Sequence, residues 1–597
     1  MRLGSKKVAP PAPVPTPPAQ PVVREPIRPA DMHVQPGGAR IGEMLVAANL
    51  ATNEQVVAAL GAMGSSGRSL GSQLIADGSI SERDLAETLA RQQNLDVVDL
   101  RQIIPDPAAA ALMTESMARA LGAIPLSAHQ DTVVVAVADP SPAILKSLQE
   151  VIGRPLTVNV ATQSDVTMAI GNSFRALASI NSQVEAFQTR DSQNKAVENA
   201  PAPAVVSENA PVVQVVQLMI TQGLRDRASD IHIEPQGDRI RVRYRVDGAL
   251  HEVLDLPGSM GPAIVSRIKI MAGMNIVERR RPQDGQISME LEGRALDIRV
   301  GTTSVVSGEK VVMRLLDKSR PIFRLSQLGM AADVAERYSE LLHSPYGMVI
   351  CSGPTGSGKT TTLYGSLSEI NTPERNIMTI EDPVEYTIPS INQIQINVQA
   401  GVTFAGGLKS ILRQDPDVIL VGEIRDAETA RIAVQSALTG HFVLSSLHAT
   451  DSVAALHRLL DMGIESFLVA SSITAVMSQR LLRRVCDNCK ENYDLPPQEL
   501  ALLHSMGGQV PATGFVRGAG CNFCTQTGYL ERIGVYEMMP VTDGIRELIL
   551  DRASHDDVRK LARSEGMRTL REESMHLVEA GTTNLAEVLR TIYVAGR

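Results

Sequence analysis

The residues Gly353-Pro-Thr-Gly-Ser-Gly-Lys-Thr360 follow the spacing G-x-x-x-x-G-K-T of a phosphate-binding loop. In such a loop Gly353, Pro354, Thr355, Gly356, Ser357 and Gly358 turn backbone N–H groups inward around a phosphate chain. The helix that follows adds positive potential at its N-terminus, where Thr361 sits. Lys359 has the reach for β- and γ-phosphates, and the Thr360 hydroxyl is a magnesium ligand in this pattern. The flanks agree with that chemistry. Gly347-Met-Val-Ile-Cys351 reads as a short buried strand, and Thr361 to Leu367 reads as the start of a helix.

Three further segments offer the groups that phosphoryl transfer needs. Ile380-Glu-Asp-Pro-Val-Glu-Tyr386 follows a strand and carries carboxylates at Glu381, Asp382 and Glu385. Asp417 to Glu423 is an apolar strand ending in an acid, an arrangement that holds Mg²⁺ directly or through water. Thr439 to Thr450 brackets another strand with His441 and His448. Either histidine could sense a γ-phosphate or serve only the fold.

The cysteines give a second signal. Cys486-Asp-Asn-Cys489 and Cys521-Asn-Phe-Cys524 are paired C-x-x-C knuckles separated by loop-like sequence. Four thiolates at this spacing suit tetrahedral zinc in a structural site, and two paired motifs fit a metal better than one redox dithiol. Cys351 stands alone in an apolar strand and reads as packing.

Elements must hold these groups in place, and 597 residues are too many for one core. The chain is 44% apolar and 21% charged with a net charge of −9, which argues against stable nucleic-acid binding. No apolar run is long enough to span a bilayer and the N-terminus is not a secretory signal, so a cytoplasmic location is expected. Residues 1–38 are Pro-rich and read as a disordered tail. Residues 39–172 form an N-terminal domain of helices, then strands with helices, with Thr132–Val137 the clearest strand. Residues 173–209 read as a linker and 210–320 as an α+β domain. In that domain Arg239, Arg241, Arg243 and Arg245 alternate with Ile240, Val242, Tyr244 and Val246, reading as a solvated strand face. Residues 321–597 read as an α/β domain that includes the four-cysteine module at 482–535 and C-terminal helices.

The order of phosphate loop, Glu-Asp-Pro-Val-Glu box, Gly422-Glu-Ile-Arg-Asp426 and histidine box resembles the secretion-superfamily ATPases. Ala228 to Pro235, Arg281 to Gly285 and Gly308 to Arg314 match that family's domain before the ATPase core. The resemblance implies a multidomain α/β protein: a RecA-like core preceded by a PAS-like α+β domain. It implies Glu385 as the residue that activates water, Glu423 as the metal-supporting acid and His448 as part of the site. It also implies Arg299 and Arg314 as arginines that reach nucleotide phosphates, with Arg280 a weaker candidate. ATP, Mg²⁺ and Zn²⁺ are the implied cofactors. The implied state is a homohexamer at the inner membrane, working on a platform protein to assemble a type II secretion pseudopilus or type IV pilus. The cysteine module is similar to that of assembly and secretion members, not retraction members.

The N-terminal repeat sets Arg40-Ile-Gly-Glu-Met-Leu45 against Arg68-Ser-Leu-Gly-Ser-Gln-Leu74, with Gly42 and Gly71 in register. It resembles a cyclic di-GMP-binding module. The second copy keeps Gly71, Leu74, Gly78, Leu85, Leu89 and Gln92, whereas the first has Ile41, Asn49 and Met63 at departing positions. A symmetric dinucleotide needs both halves, so docking of a membrane partner's cytoplasmic segment is the favoured role. A nucleic-acid-translocating hexamer and a cyclic di-GMP-responsive sensor stand as alternatives.

Overall fold

The computed structural model describes residues 41–592, apart from 49, 67–68, 102, 104, 130, 175–179, 181–182, 190–209, 318–323, 506–507, 512–513 and 522. The expected tail, most of the expected linker, and Arg40, Asn49 and Arg68 of the repeat lie outside the described residues. The chain divides into two units, Met1–Phe174 and Arg175–Arg597.

In the first unit the repeat forms helices Ile41–Ala47, Asn53–Ser66, Leu70–Ala76 and Glu82–Gln93. Leu45 and Leu74 are fully buried at matching places. The paired glycines let helices approach: a Cβ on Gly42 would lie 3.0 Å from Val56, and one on Gly71 would lie 2.6 Å from Leu85. Both contacts reach the residue at the same offset, so the two copies pack alike. Strands β1 (Asp96–Val97), β2 (Ala123–Ala128), β3 (Val133–Val137) and β4 (Leu156–Val160) follow, ordered β1-β4-β3-β2.

The second unit begins with an antiparallel sheet. Its strands are β5 (Asp230–Gln236), β6 (Arg239–Val246), β7 (Ala249–Pro257), β8 (Gln283–Leu291), β9 (Arg294–Val305) and β10 (Gly308–Asp317). The order is β7-β6-β5-β10-β9-β8. Helices Pro211–Arg225 and Gly261–Met271 share its apolar core. Ile180, Val184 and Phe187, from the stretch expected as linker, pack on the same core. Alternation along β6 buries Ile240, Val242 and Tyr244, and the Tyr244 hydroxyl donates to Met219 O at 2.7 Å.

The arginine face of β6 is not simply solvated, because acids across the sheet claim each residue. Glu234 of β5, 5% exposed, accepts from Arg241 at 3.0 Å and Arg243 at 2.8 Å and pairs with Lys310 of β10 at 2.9 Å. Arg245 pairs with Asp230 at 3.4 Å and Arg239 with Asp255 at 2.6 Å.

The third region is built on a seven-stranded sheet. Its strands are β11 (Gly347–Ser352), β12 (Ile377–Glu381), β13 (Asn392–Gln395), β14 (Val418–Val421), β15 (Phe442–Leu447), β16 (Ile473–Val485) and β19 (Tyr529–Pro540). The order is β13-β12-β14-β15-β11-β16-β19, parallel except for the antiparallel β16–β19 pair. Strands β11, β12, β14 and β15 are buried along their whole lengths, as expected for a parallel sheet covered on both faces. A small antiparallel pair, β17 (Lys490–Tyr493) and β18 (Phe515–Gly518), lies in the excursion between β16 and β19. Four helices follow between Asp543 and Thr591 among the described residues.

Burial alone would raise the Glu234 carboxyl, but bonds from Arg243, Lys310 and Arg241 outweigh it and hold the pKa at about 2. Its folded pKa lies below the unfolded one, so this stabilisation is present above the ordinary glutamate range and fades as pH falls toward 2. Glu234→Gln should therefore destabilise the fold by roughly 1–3 kcal/mol at pH 7. Calorimetric melts of variant and wild type should draw together progressively as the pH is lowered from 5 toward 2.

Candidate functional site

Parallel order puts the C-terminal ends of β12, β14, β15 and β11 on one edge of the sheet, the place where open α/β sheets bind ligands. The phosphate loop leaves β11 there, and helix Lys359–Ile370 begins at its end. Gly356 and Gly358 adopt φ of +77° and +89°, which other residues rarely tolerate. Gly353, with φ of +151°, meets a second need as well: a Cβ there would lie 2.6 Å from Ser357 Oγ and 2.7 Å from Gln479 O. Pro354, Thr355, Gly356, Thr360 and Thr361 are exposed, and Ser357 is buried beneath them. Lys359 folds over the loop and donates to Gly353 O at 2.8 Å and Pro354 O at 3.1 Å. Burial pulls its ammonium below the ordinary lysine range.

Gln479 braces the loop from β16. Only 1% exposed, it donates from Nε2 to Ser357 O at 2.6 Å, while Oε1 accepts from the Cys351 thiol at 3.0 Å. Cys351 therefore does more than pack, since it fixes the amide's orientation. Nothing in a single sequence marks Gln479; only the pairing of β11 with β16 brings it beside the loop.

Glu423 ends the β14 segment with both oxygens engaged. Oε1 lies 2.9 Å from His448 Nε2, and Oε2 accepts from Arg425 Nε at 2.9 Å. Arg425 also approaches Asp382 at 3.5 Å, linking the two acid-bearing loops. The two histidines separate clearly. His448 follows β15 at the phosphate-loop edge, whereas His441 precedes it at the opposite edge and bonds Ser436 O through Nδ1 at 3.1 Å.

Glu385 lies in the loop after β12, and Arg299 of β9 reaches across to it. Nη2 and Nη1 of Arg299 donate to the two carboxylate oxygens at 3.0 and 3.3 Å. Arg314 stands beside Arg299 in the β9–β10 register but points to Asp230, with Nε donating at 3.1 Å. The structure thus brings Arg299 to Glu385 and leaves Arg314 in the antiparallel sheet. Of the three carboxylates in the box, Glu381 is the buried one, 4% exposed. It binds side chains within the fold and is no candidate ligand.

The four cysteines converge because β16 and β19 pair with Val485 opposite Tyr529, so the chain leaves and returns at one place. Their sulfurs lie within 4.8 Å of one another, with Cys486–Cys521 and Cys489–Cys524 at 3.8 Å and Cys521–Cys524 at 3.7 Å. A tetrahedron with metal–sulfur bonds of ~2.3 Å has edges of about 3.8 Å. Backbone N–H groups of Gly520, Cys521 and Gly528 point at the sulfurs of Cys489 and Cys524 at 3.2–3.3 Å, as thiolate ligands require. The cluster could hold a metal ion.

A phosphate loop, two acid-bearing strand ends and a histidine on one parallel edge define a P-loop ATPase core. The chain belongs to the type II/IV secretion system protein family, whose model matches residues 206–590. A second model, the MshEN domain, matches residues 93–179, after most of the repeat. The type IV pilus assembly ATPase PilB of Myxococcus xanthus is 38% identical over 569 residues, covering 92% of this chain and 98% of that protein. Type II secretion system protein E of Xanthomonas campestris pv. campestris is 39% identical, covering 86% of this chain and 91% of that protein. The type IV pilus assembly ATPase PilB of Thermus thermophilus is 39% identical over 87% of this chain, which spans 58% of that longer protein.

Loss of the Gln479 amide would leave the Ser357 carbonyl without its donor. Gln479→Leu should weaken ATP binding roughly 5- to 30-fold, the effect of about 1–2 kcal/mol, in a fluorescence titration. Unchanged affinity would mean that the loop holds its shape without this brace.

Proposed function

We propose that this chain hydrolyses ATP and couples the energy to assembly of a type II secretion pseudopilus or type IV pilus. The observation that carries the reading is Glu385 held beside the phosphate-loop edge by Arg299 of a neighbouring sheet. Glu385 is the base that orients and activates water, and Arg299 is the cation that moves onto phosphate when the site closes. Their side chains are 31% and 28% exposed, so the pair contributes only about 1 kcal/mol and separates readily. While paired, both Glu385 oxygens are occupied by the guanidinium, so catalysis requires Arg299 to leave it. Arg314 is a second arginine for the nucleotide, carried by the same sheet, and it must exchange Asp230 for phosphate by a side-chain rearrangement within that sheet.

Thr360 and Glu423 would hold Mg²⁺, for which hydroxyl and carboxylate oxygens are suitable hard donors. When bound, the ion neutralises charge on the β- and γ-phosphates. His448 reports on that region through its bond to Glu423. Cys486, Cys489, Cys521 and Cys524 hold a structural Zn²⁺. The working form is a homohexamer at the cytoplasmic face of the inner membrane, driving a platform protein. The first unit docks a membrane partner; using Gly42 and Gly71 for helix contact supports that role over a cyclic di-GMP pocket. Among the described residues no helix is long and apolar enough to cross a membrane, which fits attachment through partners.

Glu385→Gln should bind ATP normally yet turn over at least ~10²-fold slower, measured across protein concentrations. Near-normal turnover would move the base elsewhere. Elemental analysis should find about one zinc per chain, lost in a Cys486→Ser/Cys521→Ser variant that also melts at lower temperature.

A further inference from the structure

Glu381 is the least exposed carboxylate near the site, and its partners lead to the candidate base. Its Oε1 accepts from the Thr379 hydroxyl at 2.6 Å and from Gln393 Nε2 at 3.2 Å. Its Oε2 accepts from the Tyr364 hydroxyl at 2.5 Å. Tyr364 belongs to helix Lys359–Ile370, the helix that starts at the phosphate loop, and is 2% exposed. The same hydroxyl oxygen accepts the backbone N–H of Glu385 at 3.3 Å. Gln393 ties down the other side of that loop. Its Nε2 donates to Tyr386 O at 3.1 Å, and its Oε1 accepts Ile388 N–H at 2.8 Å. The Tyr364 and Tyr386 rings meet edge to face, 6.4 Å apart.

We infer that Tyr364 is a positioning residue: anchored on buried Glu381, it sets the Glu385 backbone and couples the phosphate-loop helix to the base. The inference rests on the reading of Glu385 proposed above. A simpler arrangement would suffice for packing alone. A phenylalanine would fill the same space, and the Glu385 N–H could turn to water in this half-buried loop. A tyrosine that donates to a buried acid has its lone pairs fixed in direction, so the oxygen accepts along one line. Burial first, then the Glu381 charge, pushes the phenol up, so it stays a donor at neutral pH. The geometry therefore transmits a shift of the helix at the phosphate loop directly to the residue that activates water. Reactions of this kind lose rate steeply when a group moves by about an ångström.

The test is Tyr364→Phe, made in the wild-type chain and in Glu385→Gln, with turnover and ATP affinity measured for each. The expected result is a kcat reduced roughly 5- to 50-fold with ATP affinity within about twofold of wild type. In the Glu385→Gln background the second change should cost nothing further, because a misplaced base and a missing base are the same defect. Glu381→Gln, which retains an acceptor for the phenol, should fall between wild type and Tyr364→Phe. Wild-type turnover in Tyr364→Phe would overturn the inference. So would an equal loss in both backgrounds, or a loss of ATP affinity, since either marks a merely structural role. If Glu385→Gln itself turns over normally, the reading of the base fails instead, and the two failures remain distinct.

Discussion

Parallel pairing of β12, β14, β15 and β11 is the constraint on which the site depends. Every strand in the row points the same way, so each delivers its following loop to one edge. Residues as distant in sequence as Lys359, Glu385, Glu423 and His448 meet there without any of them having to stabilise the meeting. The apolar cores on the two sheet faces do that, with Ile350, Ile380, Val421 and Val443 on one side and Val349, Leu420 and Leu444 on the other. Full burial of those strands supplies far more stabilisation than any single polar contact at the edge. The edge is therefore free to carry groups chosen for chemistry.

Charge is arranged in two regimes that follow from exposure. Glu234 is buried and held by three cations, and removing any partner disturbs the sheet itself. The Arg299–Glu385 pair is partly exposed and bridges two sheets with distinct apolar cores. A contact of that strength shifts a population about fivefold and no more, so ligand binding can exchange it for another. The buried Glu234 pairs lie within one sheet, whereas the Arg299–Glu385 pair and the more exposed Arg227–Glu531 pair cross between the two regions. That distribution lets the arginine-bearing sheet move as a body without unfolding.

The strand–loop–helix around Gly353 to Thr360 was legible in sequence because local geometry dictates it: glycines where φ is positive, an apolar run before, a helix after. The cysteine knuckles were legible for the same reason, and so were the apolar ends of β14 and β15. Gln479 and Tyr364 were not. Each is an ordinary residue in an ordinary element, and its role comes from pairing with a partner over a hundred residues away or from a single hydroxyl's direction. The β6 arginine face is partly solvated as its alternation indicates, but its acid partners were not legible, because alternation reveals which face a residue takes and not which acids stand opposite. Its partners Glu234 and Asp230 come from β5, and Lys310 completes the cluster from β10. Periodicity likewise did not reveal β16 and β19, whose long antiparallel pairing is fixed by tertiary contact.

That pairing explains why the cysteines sit where they do. Strand β16 carries Gln479 beside the phosphate loop, and β19 is its outer neighbour. Between them the chain leaves the sheet at Cys486 and returns after Cys524. Closing a loop of that length carries an entropic cost that grows with its logarithm, and β17 with β18 alone is too small a sheet to offset it. Four sulfurs lie at tetrahedral spacing at its neck, where a metal ion would close the loop, and Arg483, bonded to buried Glu587 at 2.7 Å and stacked over Tyr529, fixes the neck to the C-terminal helices. The pairing of β16 with β11 and with β19 sets its register, and register decides whether Gln479 faces Ser357 or the opposite side of the sheet.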